Sequence, residues 1–160
     1  MSKTRTISGE YAGAVANIAL VVSRFNSYVV DALEAAAVKT LKSHGVPDSG
    51  ITIIRVPGAL EIPLAVKTAG ESGTFDAIIA LGAVIRGDTY HFEIVANESA
   101  RGLADLALRL GLPVINGVLT VDTVEQAAAR AKKKGDNKGT DAAVAALEMI
   151  SLMARLKGLS

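Results

Sequence analysis

Four short runs of aliphatic and β-branched residues, at 16–22, 51–56, 76–81 and 114–119, each give way after a few loop residues to a segment with helical periodicity. That alternation constrains the fold more than any other feature. After the first run, Val29, Val30, Leu33, Ala36, Ala37 and Leu41 recur at helical spacing until Gly45, a helix-ending glycine. A second helix is expected over 60–69 with Pro63 in its first turn, and a third over 91–110 with Glu98, Arg101, Asp105 and Arg109 on its wet side. Thr123 and Gln126 fit a capping box opening a helix that runs to about residue 134. A last helix is expected over 140–156, after the loop 135–139. Strands separated by helices of this length pair in parallel through right-handed crossovers. The expected fold is α/β, a three-layer α/β/α sandwich around a four-stranded parallel sheet, flavodoxin-like in topology.

Residues 1–15 carry no sustained period and read as an N-terminal arm, unordered unless something pins it; 16–160 form one domain. A chain of 160 residues is long enough to bury about 70% of its unfolded surface. The absence of cysteine excludes disulfides, thiolate metal sites and cysteine nucleophiles. With His44 and His91 the only histidines, a histidine-rich metal site is disfavoured. Lys and Arg exceed Asp and Glu by a single charge, so no nucleic-acid partner is expected, and any bound anion should be small. No stretch approaches the roughly 18 apolar residues of a membrane span, and the N-terminus lacks a secretory pattern, which makes a cytoplasmic protein the expectation.

Ligands in such folds sit beyond the carboxyl ends of the strands, which selects the loops 23–26, 57–61, 82–91 and 120–123. The segment Gly82-Ala83-Val84-Ile85-Arg86-Gly87-Asp88-Thr89 nearly matches a nucleotide phosphate loop, but Asp88 stands where the lysine belongs. It reads either as a one-phosphate site built from the Gly87 to Thr89 amides and the Thr89 hydroxyl, or as glycines turning a tight corner. His91 follows at the helix start, placed to move protons near neutral pH or simply to serve structure. His44, at a helix C-terminus, reads as a favourable cation for the dipole. Arg130, Lys132, Lys133, Lys134 and Lys138 form the one dense basic stretch; they are a solvated face, unless the 135–139 loop folds back so that Arg130 and Lys138 hold one anion. Glu61 and Asp88 suit a general base, a metal ligand or a polyol acceptor equally. Phe25, in the first strand-to-helix loop, packs in the core or stacks on a planar ligand.

Together, Ser23-Arg24-Phe25-Asn26, Gly58-Ala59-Leu60-Glu61-Ile62-Pro63, Gly82 to Gly87 through His91-Phe92, Asn116-Gly117-Val118-Leu119-Thr120 and Asn137-Lys138-Gly139 closely resemble the 6,7-dimethyl-8-ribityllumazine synthase family. The resemblance covers about residues 16–156. It implies a transferase of riboflavin biosynthesis that condenses 5-amino-6-(D-ribitylamino)uracil with 3,4-dihydroxy-2-butanone 4-phosphate, releasing phosphate and water, with neither metal nor cofactor. By matching position it implies that Phe25 stacks on the pyrimidine, Val84 and Ile85 contact it, and Ala59 and Glu61 meet the ribityl chain. Gly87, Asp88 and Thr89 would hold the phosphate, Arg130 would clamp it, Lys138 would complete a basic wall, and His91 would shuttle protons. Asn116 stands where the family often has an aromatic residue supplied by a neighbouring subunit.

The family forms pentamers that sometimes assemble into sixty-subunit shells, and the last helix gives a separate reason to expect self-association. Its polar residues Asp141, Glu148, Ser151 and Arg155 fall on one stripe, leaving most of the circumference apolar. The competing readings are a flavin- or lumazine-storage module, or a shell-forming paralogue with little turnover.

Overall fold

The computed structural model describes residues 3–13 and 16–159. Its four strands, β1 (Ile18–Ser23), β2 (Ile51–Val56), β3 (Ala77–Ile85) and β4 (Val114–Val121), form one all-parallel sheet in the order β2-β1-β3-β4. β1 lies between two neighbours, Ile18 pairing with Ile51 on one side and Ala77 on the other, and all six of its residues are buried. An unbroken apolar run is what such a position requires.

Alternate β1 residues serve the two faces. Ile18, Leu20 and Val22 meet α1 (Ser27–Ser43) and α5 (Lys138–Lys157) through Val30, Leu33, Ala143 and Leu147. Ala19 and Val21 meet α2 (Ile62–Glu71) and α3 (His91–Leu110) through Ile62, Val66 and Leu103. The short α4 (Val124–Ala129) follows β4 and buries Ala127. The expected three-layer α/β/α sandwich is the observed one. No helix among the described residues is long and apolar enough to cross a membrane.

Three local expectations need correction. β3 does not stop at residue 81: Gly82, Ala83, Val84 and Ile85 pair with Val118, Leu119, Thr120 and Val121. Gly82 is a strand residue, and a Cβ there would lie 2.7 Å from the Ser23 hydroxyl, so the glycine reflects close approach rather than a turn. The segment therefore cannot form a nucleotide phosphate loop, and the true connection to α3 is only 86–90. Second, α4 ends at Ala129 instead of near residue 134. The lysine run turns back at Gly135 (φ 103°), and Ala131 bridges to Asn137. Third, the capping box is shifted: Thr123 Oγ1 accepts from the Gln126 amide at 3.1 Å, but Gln126 Oε1 accepts from Asp122 N, not Thr123 N.

Of the arm expected over 1–15, residues 1, 2, 14 and 15 lie outside the described residues, as does residue 160 of the domain. The rest is pinned. Arg155 donates to the Ser8 carbonyl at 2.9 Å and pairs with Glu10, whose amide donates to Ser151 Oγ. Gly9 is pressed against α5 so closely that a Cβ would lie 2.0 Å from the Glu148 carbonyl. Three of the four residues in the polar stripe of the last helix are thus where the arm lies.

Candidate active site

The ends of β1, β2 and β3 open into a cleft of about 470 Å³. Arg24 N donates to the Val56 carbonyl at 2.9 Å, which fastens the loop after β1 to the end of β2. Asn26 then takes a left-handed conformation (φ 58°), tolerable for asparagine, and its Nδ2 donates to the Ala83 carbonyl at 2.8 Å. Between these two anchors Phe25 projects with 70% of its surface exposed, which excludes the core role. Gly58 makes the opposing surface: a Cβ there would lie 3.1 Å from the Phe25 ring and 3.2 Å from Glu61 Oε1.

Ala59 and Val84 are buried in the cleft floor beside half-buried Ile85. Glu61 reaches its rim on a 3₁₀ turn (Ala59–Glu61), with no cation within ion-pairing distance among the described residues. Across the cleft stand Gly87, Thr89 and His91, the last being the first residue of α3. The Gly87, Asp88 and Thr89 amides have no acceptor among the described residues, and a Cβ on Gly87 would meet nothing within 4 Å. Free amides, a hydroxyl and a helix N-terminus at one mouth suit a small anion.

Eight of the twelve expected site residues therefore share this cleft: Phe25, Ala59, Glu61, Val84, Ile85, Gly87, Thr89 and His91. Asn116, Arg130 and Lys138 do not. They line a separate cavity of about 400 Å³ where the β4 edge meets the start of α5. Asp88 is exposed and lines neither. Asn116 Oδ1 accepts from the Val118 amide at 3.0 Å, Lys138 Nζ lies 3.2 Å from Asp141, and Arg130 has no carboxylate within 4 Å among the described residues.

Sequence reasoning gave no role to six cleft residues, Asn26 and Phe92 among them. An asparagine at a strand-to-helix corner was the available signal for the first, since few residues tolerate a positive φ. Phe92 carried none, because an aromatic in the first turn of a helix is an ordinary core residue.

Around the 86–90 connection the charges are organised. Arg86 donates through Nε to Asp122 at 2.7 Å and through Nη1 to Glu93, and its guanidinium carbon lies 4.4 Å from the Phe92 ring centroid. The hydrogen bonds to Asp122 and Glu93 hold the Arg86 pKa above its ordinary value, and the bond from Arg86 is the main cause that holds Glu93 below its own.

A family model described as 6,7-dimethyl-8-ribityllumazine synthase matches residues 15–154. The chain belongs to this family. The match starts before β1 and ends within α5, so it contains the residues lining both cavities. As a member of the 6,7-dimethyl-8-ribityllumazine synthase family the chain is a transferase-type enzyme of riboflavin biosynthesis acting on small molecules.

Proposed function

We propose that this protein condenses 5-amino-6-(D-ribitylamino)uracil with 3,4-dihydroxy-2-butanone 4-phosphate to 6,7-dimethyl-8-ribityllumazine, the penultimate step of riboflavin biosynthesis. The observation that carries the reading is the meeting of Phe25, Glu61, His91 and the residues Gly87 and Thr89, with their free amides, around one cleft mouth. Phe25 stacks on the pyrimidine while Val84 and Ile85 line its edge, and Ala59 and Glu61 meet the ribityl chain, Glu61 accepting hydroxyl hydrogen bonds. The amides of Gly87, Asp88 and Thr89 receive the phosphate, the Asp88 carboxylate facing solvent.

The uracil amine attacks the ketone to give a carbinolamine, which loses one water to form the imine. Loss of a proton and departure of phosphate leave an enol that becomes a ketone. The ribitylamino nitrogen then attacks this ketone, and a second water leaves as the ring closes. Every step moves protons, the work of His91, and none needs a covalent bond to the protein. Holding two small molecules against each other supplies much of the acceleration.

The phosphate cations come from a second chain. On one chain Arg130 and Lys138 open into a different cavity from His91, so a site containing all three is formed where the β4 edge of one copy meets the cleft of another. A ring of such contacts gives an oligomer, at least a pentamer, with one active site per junction. Purified protein mixed with both substrates should produce the fluorescent lumazine with turnover. Tight binding of lumazine or flavin without turnover would instead support the storage module.

A further inference from the structure

Between the cleft residues Ile85 and Gly87 stands Arg86, which does not line the cleft and which the proposed chemistry leaves unused, yet its polar contacts join three elements beside the site. Its amide donates to the Val121 carbonyl at 2.9 Å, completing the β3–β4 pairing, and its guanidinium joins Asp122 after β4 to Glu93 in the first turn of α3. The same guanidinium covers the Phe92 ring, whose other surroundings include the cleft. Arg86 thus touches both ends of the span that carries the Gly87, Asp88 and Thr89 amides. Two carboxylates already neutralise it, which makes it a poor direct ligand for an anion.

We propose that Arg86 is a positioning residue that fixes the 87–90 span between β3 and α3, setting the free amides, Phe92 and His91 in one geometry for the phosphorylated substrate. The assignment of that substrate rests on the function proposed above; the fixing of the span does not. A guanidinium can bridge two carboxylates and lie on an aromatic face at once, which a lysine cannot.

The test uses the full-length protein with Arg86→Ala and with the double variant Glu93→Gln, Asp122→Asn. These pairs are half-exposed, so the variants should stay folded. Hydrogen exchange should rise about tenfold at the hydrogen-bonded amides within 86–94, among them Arg86, Glu93 and Ile94, and stay unchanged in β1. Affinity for inorganic phosphate should fall about tenfold in both variants, and KM for the phosphorylated substrate should rise alike while KM for the uracil stays within about twofold. The double variant separates positioning from simple attraction, because it removes two negative charges and leaves Arg86 free. Tighter phosphate binding in that variant would overturn the proposal, as would unchanged exchange over 86–94 in Arg86→Ala. A wild-type protein without turnover would sink the functional reading alone, since exchange still decides the role of Arg86.

Discussion

The backbone amide of Lys138 donates to the carbonyl oxygen of Arg130 at 2.8 Å, so two cations separated by a lysine-rich loop are neighbours in space. Gly135 supplies the left-handed turn, and Lys132 N donates to the Asp136 carbonyl at 3.0 Å to close the hairpin. What reads in sequence as a solvated basic run is a folded-back element presenting Arg130 and Lys138 to one cavity.

Replacing Arg130 by Ala should weaken the phosphorylated substrate about ten- to hundredfold, the size of one charge-assisted contact. Affinity for the ribitylaminouracil should barely change. Equilibrium titration with each substrate separately checks this, and a selective loss of the uracil would show that the phosphate has been placed wrongly.

Asn137 is the joint of this hairpin. It is 5% exposed, its Oδ1 accepts from the Gly139 amide at 2.7 Å, and its Nδ2 donates to the Ala32 and Lys132 carbonyls. Asn137→Ala removes a helix cap and strips partners from two carbonyls, an expected loss of about 2–3 kcal/mol. A urea midpoint lowered at unchanged slope is the expected result, together with weaker phosphate binding as Arg130 and Lys138 lose their register.

Much of this was legible in sequence where one physical cause dominates. The buried run around Leu20 and Val22 can only be a central strand, and Gly45, at φ 97°, ends α1 as expected. Gly82 misled because a glycine inside an apolar run signals a turn, whereas here it admits the Ser23 hydroxyl from the adjacent strand. That neighbour is distant in sequence and invisible locally. The division between His91 and Arg130 was hidden for the same reason: it follows from β4 being the edge strand, and strand order is a property of the assembled sheet.

His91→Ala should lower turnover by about a hundredfold or less, because orientation supplies much of the rate. His91 is exposed at the first position of α3 and makes no side-chain hydrogen bond among the described residues, so the thermal midpoint should not move. Single-turnover measurements should show the loss in a step after substrate binding; an unchanged turnover number removes His91 from the mechanism.

Acid should test the Arg86 network directly. The bond from Arg86 holds the Glu93 carboxyl below its ordinary range, so the stabilisation from this pair is fully present above the ordinary glutamate value. It is lost as pH falls through the depressed value of the folded protein. A carboxyl titration of Glu93 followed by carbon NMR should move upward in Arg86→Ala; an unmoved titration would mean that the pair does not persist in solution.

The decisive experiment for the shared site mixes two impaired variants, assayed at a concentration of the phosphorylated substrate where each alone is well below wild type. His91→Ala damages only the cleft, and Arg130→Ala damages only the cavity beside β4, because on one chain these residues line different spaces. In a closed ring each junction takes its cleft from one copy and its cations from the next. After co-refolding at equal amounts, a junction is intact when its cleft comes from an Arg130→Ala chain and its cations from a His91→Ala chain, which random assembly gives at about one junction in four. Activity should therefore rise to about a quarter of the wild-type value, and refolding each variant alone should give no rise. If cleft and cations met within one chain, every site in the mixture would still carry a lesion and the activity would stay at the average of the two variants.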